Sequence, residues 1–135
     1  MPPYREVAQL PVGDLLEDRD EPVAVHPMMP LQDVAGKLGA TPARAVIVTR
    51  DGLMLGVVGA ADIVNAVADG LDGGTPIKVL LEQVPRPVTV SYAEALERLP
   101  RILGDAGTIV VTDDAGKPKG VVRRADLAER VRHLA

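Results

Sequence analysis

Short apolar runs separated by polar turns recur along this chain, and their spacing alternates between the periods of strands and of helices. Val23 to Val25 is a β-branched run short enough for a strand, and Val88 to Val90 is another. An amphipathic stretch follows each. Leu31, Val34, Ala35 and Leu38 fall at i, i+3, i+4 and i+7, one face of a helix. Ala95, Leu96, Leu99, Ile102 and Leu103 give a similar face, which Pro100 should kink or shorten. Next come the continuous apolar runs Ala45 to Val48 and Thr108 to Val111, which read as buried strands. Glycine-bearing turns suited to hairpins follow, Arg50-Asp51-Gly52 and Asp113-Asp114-Ala115-Gly116. A third strand, Leu55 to Val58 or Gly120 to Val122, runs into a closing helix, Ala61 to Ala68 or Ala125 to Leu134.

The two series are copies of one unit. Pro22-Val23-Ala24-Val25 aligns with Pro87-Val88-Thr89-Val90 at an offset of 65. Gly56 to Ile63 aligns with Gly120 to Leu127 at an offset of 64, so one residue is lost in the loop before the second strand. Upstream, the short helical piece Val12 to Glu17 lies opposite Ile77 to Glu82, again at 65, and Thr75-Pro76 starts the second of these. Gly70 to Thr75 is a flexible joint. The copies span about 8–70 and 71–135. One unit of this size leaves a sheet face bare, so the two are expected to pack into one α/β (α+β) body.

Composition narrows the chemistry. With two tyrosines and no Phe or Trp, the core must be aliphatic, and aliphatic walls would have to sandwich any flat ligand. A net charge of −4 without a basic run argues against nucleic acid as the main partner. No cysteine is present, which fits a reducing cytoplasm. No apolar stretch has the length of a signal peptide core or a membrane span, so a cytoplasmic protein with no membrane partner is expected. No Cys nucleophile, His–Asp–Ser arrangement, Gly-rich phosphate loop or metal cluster stands out; the chain reads as no enzyme, with no catalytic residue and no metal site. His26 and His133 read as surface residues, and Met28, Met29 and Met54 as gap-filling or interface residues. Glu17 to Glu21 reads as a solvated acidic loop.

With its duplication, its order of elements and the twofold signature Gly-hydrophobic-hydrophobic-x-x-x-Asp-hydrophobic, the chain resembles the CBS domain family (cystathionine β-synthase type), whose members occur as tandem pairs called Bateman modules. The resemblance runs from about Val12 to Val131 and leaves no room for a separate catalytic domain. It implies two three-stranded sheets related by pseudo-two-fold symmetry, with two related sites in the cleft between the motifs. Many members bind AMP, ADP, ATP or S-adenosylmethionine there; such a ligand would be regulatory, and no cofactor is required. Carried over by position, Asp62 and Asp126 would hold ribose hydroxyls. Val23, Ala24 and Val25 with Arg44, and Val88, Thr89 and Val90 with Thr108, would line the base.

The sequence departs from the family where a Ser or Thr normally contacts phosphate. Gly59 and Arg123 occupy those positions. Gly59 leaves helix N–H groups open to an anion. Arg123, with Arg124 beside it, offers a guanidinium fork instead. Equally, both changes suit sites that have lost their ligand. Two readings therefore stand: a nucleotide-responsive module that signals to a regulated partner protein, and a ligand-free structural or dimerisation module. The family also implies a homodimer formed through amphipathic helices.

Overall fold

The computed structural model describes residues 4–134. After α1 (Tyr4–Gln9) come two 3-10 turns, Val12–Leu15 and Asp18–Asp20. The first repeat then supplies β1 (Val23–Val25), α2 (Leu31–Ala40), β2 (Ala45–Arg50), β3 (Leu53–Gly59) and α3 (Ala60–Ala68). The second opens with α4 (Ile77–Leu81), followed by β4 (Val88–Ser91), a 3-10 turn at Leu96–Arg98, α5 (Leu99–Leu103), β5 (Thr108–Thr112), β6 (Pro118–Arg123) and α6 (Arg124–Leu134). Proline has the predicted effect in the second repeat. Pro100 sits in the first turn of α5, where a missing N–H is harmless, and the helix upstream is reduced to a 3-10 turn. At α4, Pro76 is itself the capping residue and Ile77 begins the helix, one residue later than Thr75-Pro76 suggested.

Each repeat forms a three-stranded sheet with its first strand parallel and its third antiparallel to the middle one. The middle strands carry unbroken apolar runs because both of their faces are buried: Val46 and Val48 point to one side and Ala45 and Ile47 to the other, all under 9% exposed. A β-bulge falls at the matching place in both hairpins, after Val48 and after Val111.

The register revises the repeat alignment. Val23 pairs with Val46 and Val88 with Ile109, while Ala45 pairs with Gly59 and Thr108 with Arg123. Two residues are therefore lost before β5 and one is regained in the hairpin, where the sequence alone implied a single loss. The counterpart of Thr108 is accordingly Ala45, and that of Arg44 is Gly107.

The chain divides into two compact units that do not follow the order of the repeats. Pro22–Arg86 forms the first-sheet unit, which includes α4. The second-sheet unit combines the chain from Pro87 onward with the N-terminal stretch through Glu21. Each leading Leu-Leu segment thus packs on the sheet of the other repeat. Leu81 of α4 lies against Gly56 on β3, and Leu16 lies against Gly120 on β6. Val25, Leu31, Val34, Val46, Val58 and Ile77 centre one core; Val12, Leu15, Val90, Leu96, Ile109 and Val111 centre the other. Both are aliphatic throughout. The acidic stretch is solvated as expected at Glu17, Asp18, Arg19 and Glu21, but not at Asp20, which is 4% exposed and held by Arg130 of α6.

Candidate functional site

In the second-sheet unit, strand pairing decides where the predicted residues meet. Thr108 begins β5 directly opposite Arg123, the last residue of β6, and Thr89 of β4 is paired with Val110 two positions along. Paired residues share a face and alternate residues repeat it, so Thr89, Thr108 and Arg123 project from one face at one end of the sheet. Val90 points the other way, into the unit's core. Only its backbone is available at that end. The chain passes from Arg123 straight into α6, whose first turn carries Asp126. Among the described residues, the hydroxyls of Thr89 and Thr108, the guanidinium of Arg123 and the carboxylate of Asp126 have no hydrogen-bond partner. Two hydroxyls and a cation thus share one face, and an anion follows three residues on at the start of α6, all with their bonding capacity unspent.

Arg124 is engaged differently. Its guanidinium donates to the carbonyls of Gly104 and Ala106, and its backbone N–H donates to Gly107 O at 2.9 Å. It braces the loop leading into β5, which holds Thr108 at the start of that strand.

The first-sheet unit has the same frame with its polar groups removed. Ala24, Ala45 and Gly59 occupy the positions of Thr89, Thr108 and Arg123, and Val25 points into the core. Asp62 is partly committed, because its Oδ2 accepts the N–H of Gly59 at 2.8 Å and closes the first turn of α3. Arg44, at the same end of the sheet, adopts a left-handed conformation with φ 53°, an uncommon state for a residue with a β-carbon. Its N–H donates to Thr41 O at 2.9 Å. This unit also has a groove of about 240 Å³ lined mainly by Leu55, Val57, Leu81, Val84 and Pro85. None of the sequence-predicted residues lines it.

Sequence reasoning missed the buried ion pair behind α6. Arg130 makes a bidentate contact with Asp20, its Nη2 donating to Oδ1 at 2.9 Å and its Nη1 to Oδ2, and Nη1 also donates to Leu15 O at 3.2 Å. Asp20 Oδ2 additionally accepts the N–H of Glu17 at 2.7 Å. The hydrogen-bonded Asp20 carboxylate raises the guanidinium of Arg130 above its ordinary range, against the opposing effect of burial. An acid among five consecutive charged residues gives no sign of being the buried one. His26, by contrast, is exposed as read, and its Nδ1 accepts the N–H of Met28 at 3.0 Å. Among the described residues no group of three or more His, Asp or Glu is arranged to hold a metal, and no helix is long and apolar enough to cross a membrane.

The CBS domain family matches the chain twice, at residues 12–69 and 81–133, and the chain belongs to that family. Solved structures agree on the fold. The CBS domain of a bacterial CNNM/CorC family Mg2+ transporter, in complex with ATP, is 21% identical with a TM-score of 0.73, covering 96% of this chain and 92% of that one. The CBS domain protein PAE2072 from Pyrobaculum aerophilum, complexed with AMP, is 23% identical with a TM-score of 0.67, covering 91% and 99%. The CBS-domain containing protein ATU1752 from Agrobacterium tumefaciens is 27% identical with a TM-score of 0.68, covering 90% and 93%. No curated protein sequence matches the chain significantly.

Proposed function

We propose that this chain is a regulatory module that binds an adenosine-containing ligand at the Thr89, Thr108, Arg123 and Asp126 end of the second-sheet unit and passes the change to a partner protein. The observation that carries this reading is that Thr89, Thr108 and Arg123 share one face of the sheet, with Asp126 three residues further on at the start of α6, and that all four polar groups are unpartnered among the described residues. Asp126 suits a pair of ribose hydroxyls as a double acceptor, Arg123 suits a phosphate, and the threonines suit the polar edge of a base or sugar. The AMP and ATP complexes of the similar CBS structures make adenine nucleotides the first ligands to test, with S-adenosylmethionine beside them. The first-sheet counterpart, with Ala24, Ala45 and Gly59, has little to hold such a ligand and is assigned no ligand of its own.

A panel of AMP, ADP, ATP and S-adenosylmethionine in a thermal-shift assay tests the proposal. A ligand of the folded state at a hundredfold excess over its dissociation constant adds about 2.7 kcal/mol of stability. A melting curve that no member of the panel moves at millimolar concentration rejects it. In that case the second reading, a ligand-free dimerisation module, takes its place. One observation favours that alternative: Val64 and Val67 of α3 are 64% and 59% exposed, an apolar stripe on a surface helix.

A further inference from the structure

Helix α6 carries Asp126 in its first turn and Arg130 one turn later, so the candidate site and the buried ion pair share one rigid element. What fixes that element is unusual. None of its residues is fully buried; Leu127, Val131 and Leu134 are only partly covered, whereas α3 buries Ile63 and Ala66 outright. The side chain of Arg130 is 10% exposed and that of Asp20 5%, and both are bound further by the backbone at Leu15 and Glu17. The first-sheet unit has no equivalent among the described residues, since Pro85 and Ala66 stand at the matching positions. The most deeply held polar contact of α6 is therefore made to the N-terminal segment, which belongs to the other repeat in sequence.

We infer that the Asp20–Arg130 pair is a latch through which the N-terminal segment, residues 12–21, sets the pose of α6 and reports occupancy of the Asp126 site. This rests on the nucleotide-binding reading above. Asp20 and Arg130 are positioning residues and touch no ligand. Binding at Asp126 favours the α6 pose that the latch holds, and by linkage an intact latch favours binding by the same factor. The segment tightens when ligand enters and loosens when it leaves, so a partner that grips residues 12–21 senses the site.

Amide hydrogen exchange of the unmodified full chain, with and without AMP, tests the latch without any substitution. AMP should slow exchange across residues 12–21 by about fivefold or more, within the usual range of coupling between sites. Calorimetric titration should show Asp20→Asn binding AMP about tenfold more weakly, and Arg130→Lys, which keeps the charge but not the fork, falling between it and the parent. If the parent binds AMP while exchange in 12–21 is unchanged, or if a folded Asp20→Asn binds as tightly as the parent, the latch is refuted and the binding reading stands. If the parent binds none of AMP, ADP, ATP and S-adenosylmethionine, both fall together.

Discussion

Leu16 occupies the space that a side chain at Gly120 would need: a β-carbon there would stand 2.6 Å from Leu16 Cδ2 and 3.4 Å from the β-carbon of Asp20. The same pairing recurs in the other unit, where a β-carbon at Gly56 would meet Leu81 Cδ2 at 2.8 Å. The glycine of the strand signature and the second leucine of the leading segment are thus one feature, a flat strand receiving a side chain. Gly120→Ala is expected to lower stability by about 1–3 kcal/mol through overpacking. Gly56→Ala should cost less, because the groove of about 240 Å³ beside Leu81 gives that leucine somewhere to go. Urea melts of the two variants, with Leu16→Ala added to Gly120→Ala to relieve the clash, check both the order and the cause.

This pairing also marks where the sequence stops being readable. Strands, helices and the duplication were legible because period, turn chemistry and repeated spacing are local properties of the chain. The Leu-Leu pairs were legible as a repeated feature, but not the sheet each would cover. Leu16 on Gly120 is a contact across about a hundred residues, and no local pattern encodes it. The loop deletions are hidden for a related reason: Arg44 and Thr108 align by spacing, whereas hydrogen-bond register makes Ala45 the counterpart of Thr108. A carboxylate in an acidic run is normally solvated, and at Asp20 only Arg130, 110 residues away, reverses that.

Removing one partner of the buried pair leaves an uncompensated charge. Asp20→Ala or Arg130→Ala should each destabilise the fold by about 3–5 kcal/mol. Replacing both with apolar residues of similar volume, Asp20→Leu with Arg130→Met, should cost much less than the two single losses combined, since no desolvated charge remains. A double-mutant cycle in urea measures this. Additive losses would mean that the pair is solvated in solution.

The two signature aspartates should separate by phenotype. Asp62 spends Oδ2 on the N–H of Gly59, so Asp62→Ala is expected to remove a helix cap worth about 1 kcal/mol and leave AMP binding nearly unchanged. Asp126 has no such bond among the described residues, and Asp126→Ala should melt close to the parent while losing nucleotide binding. Parallel melting curves and titrations of the two variants decide it. Loss of AMP binding in Asp62→Ala alone would move the ligand to the first-sheet unit.

Arg123 stands where the family resemblance implies a Ser or Thr before the helix, and a guanidinium differs from a hydroxyl in what it recognises. A hydroxyl contacts phosphate through one neutral bond, whereas Arg123 offers a charged fork whose attraction to an anion is strong but sensitive to salt. Arg123→Ala should therefore weaken ATP and AMP by about tenfold or more, the worth of a hydrogen bond to a charged group of about 1.5–3 kcal/mol, and leave adenosine untouched. Arg123→Thr restores the family's usual residue, and it should recover part of the nucleotide affinity while flattening its dependence on salt. Titrations of adenosine, AMP and ATP at low and high ionic strength separate these effects. Equal weakening of adenosine and AMP in Arg123→Ala would show that the arginine shapes the site and does not bind the phosphate.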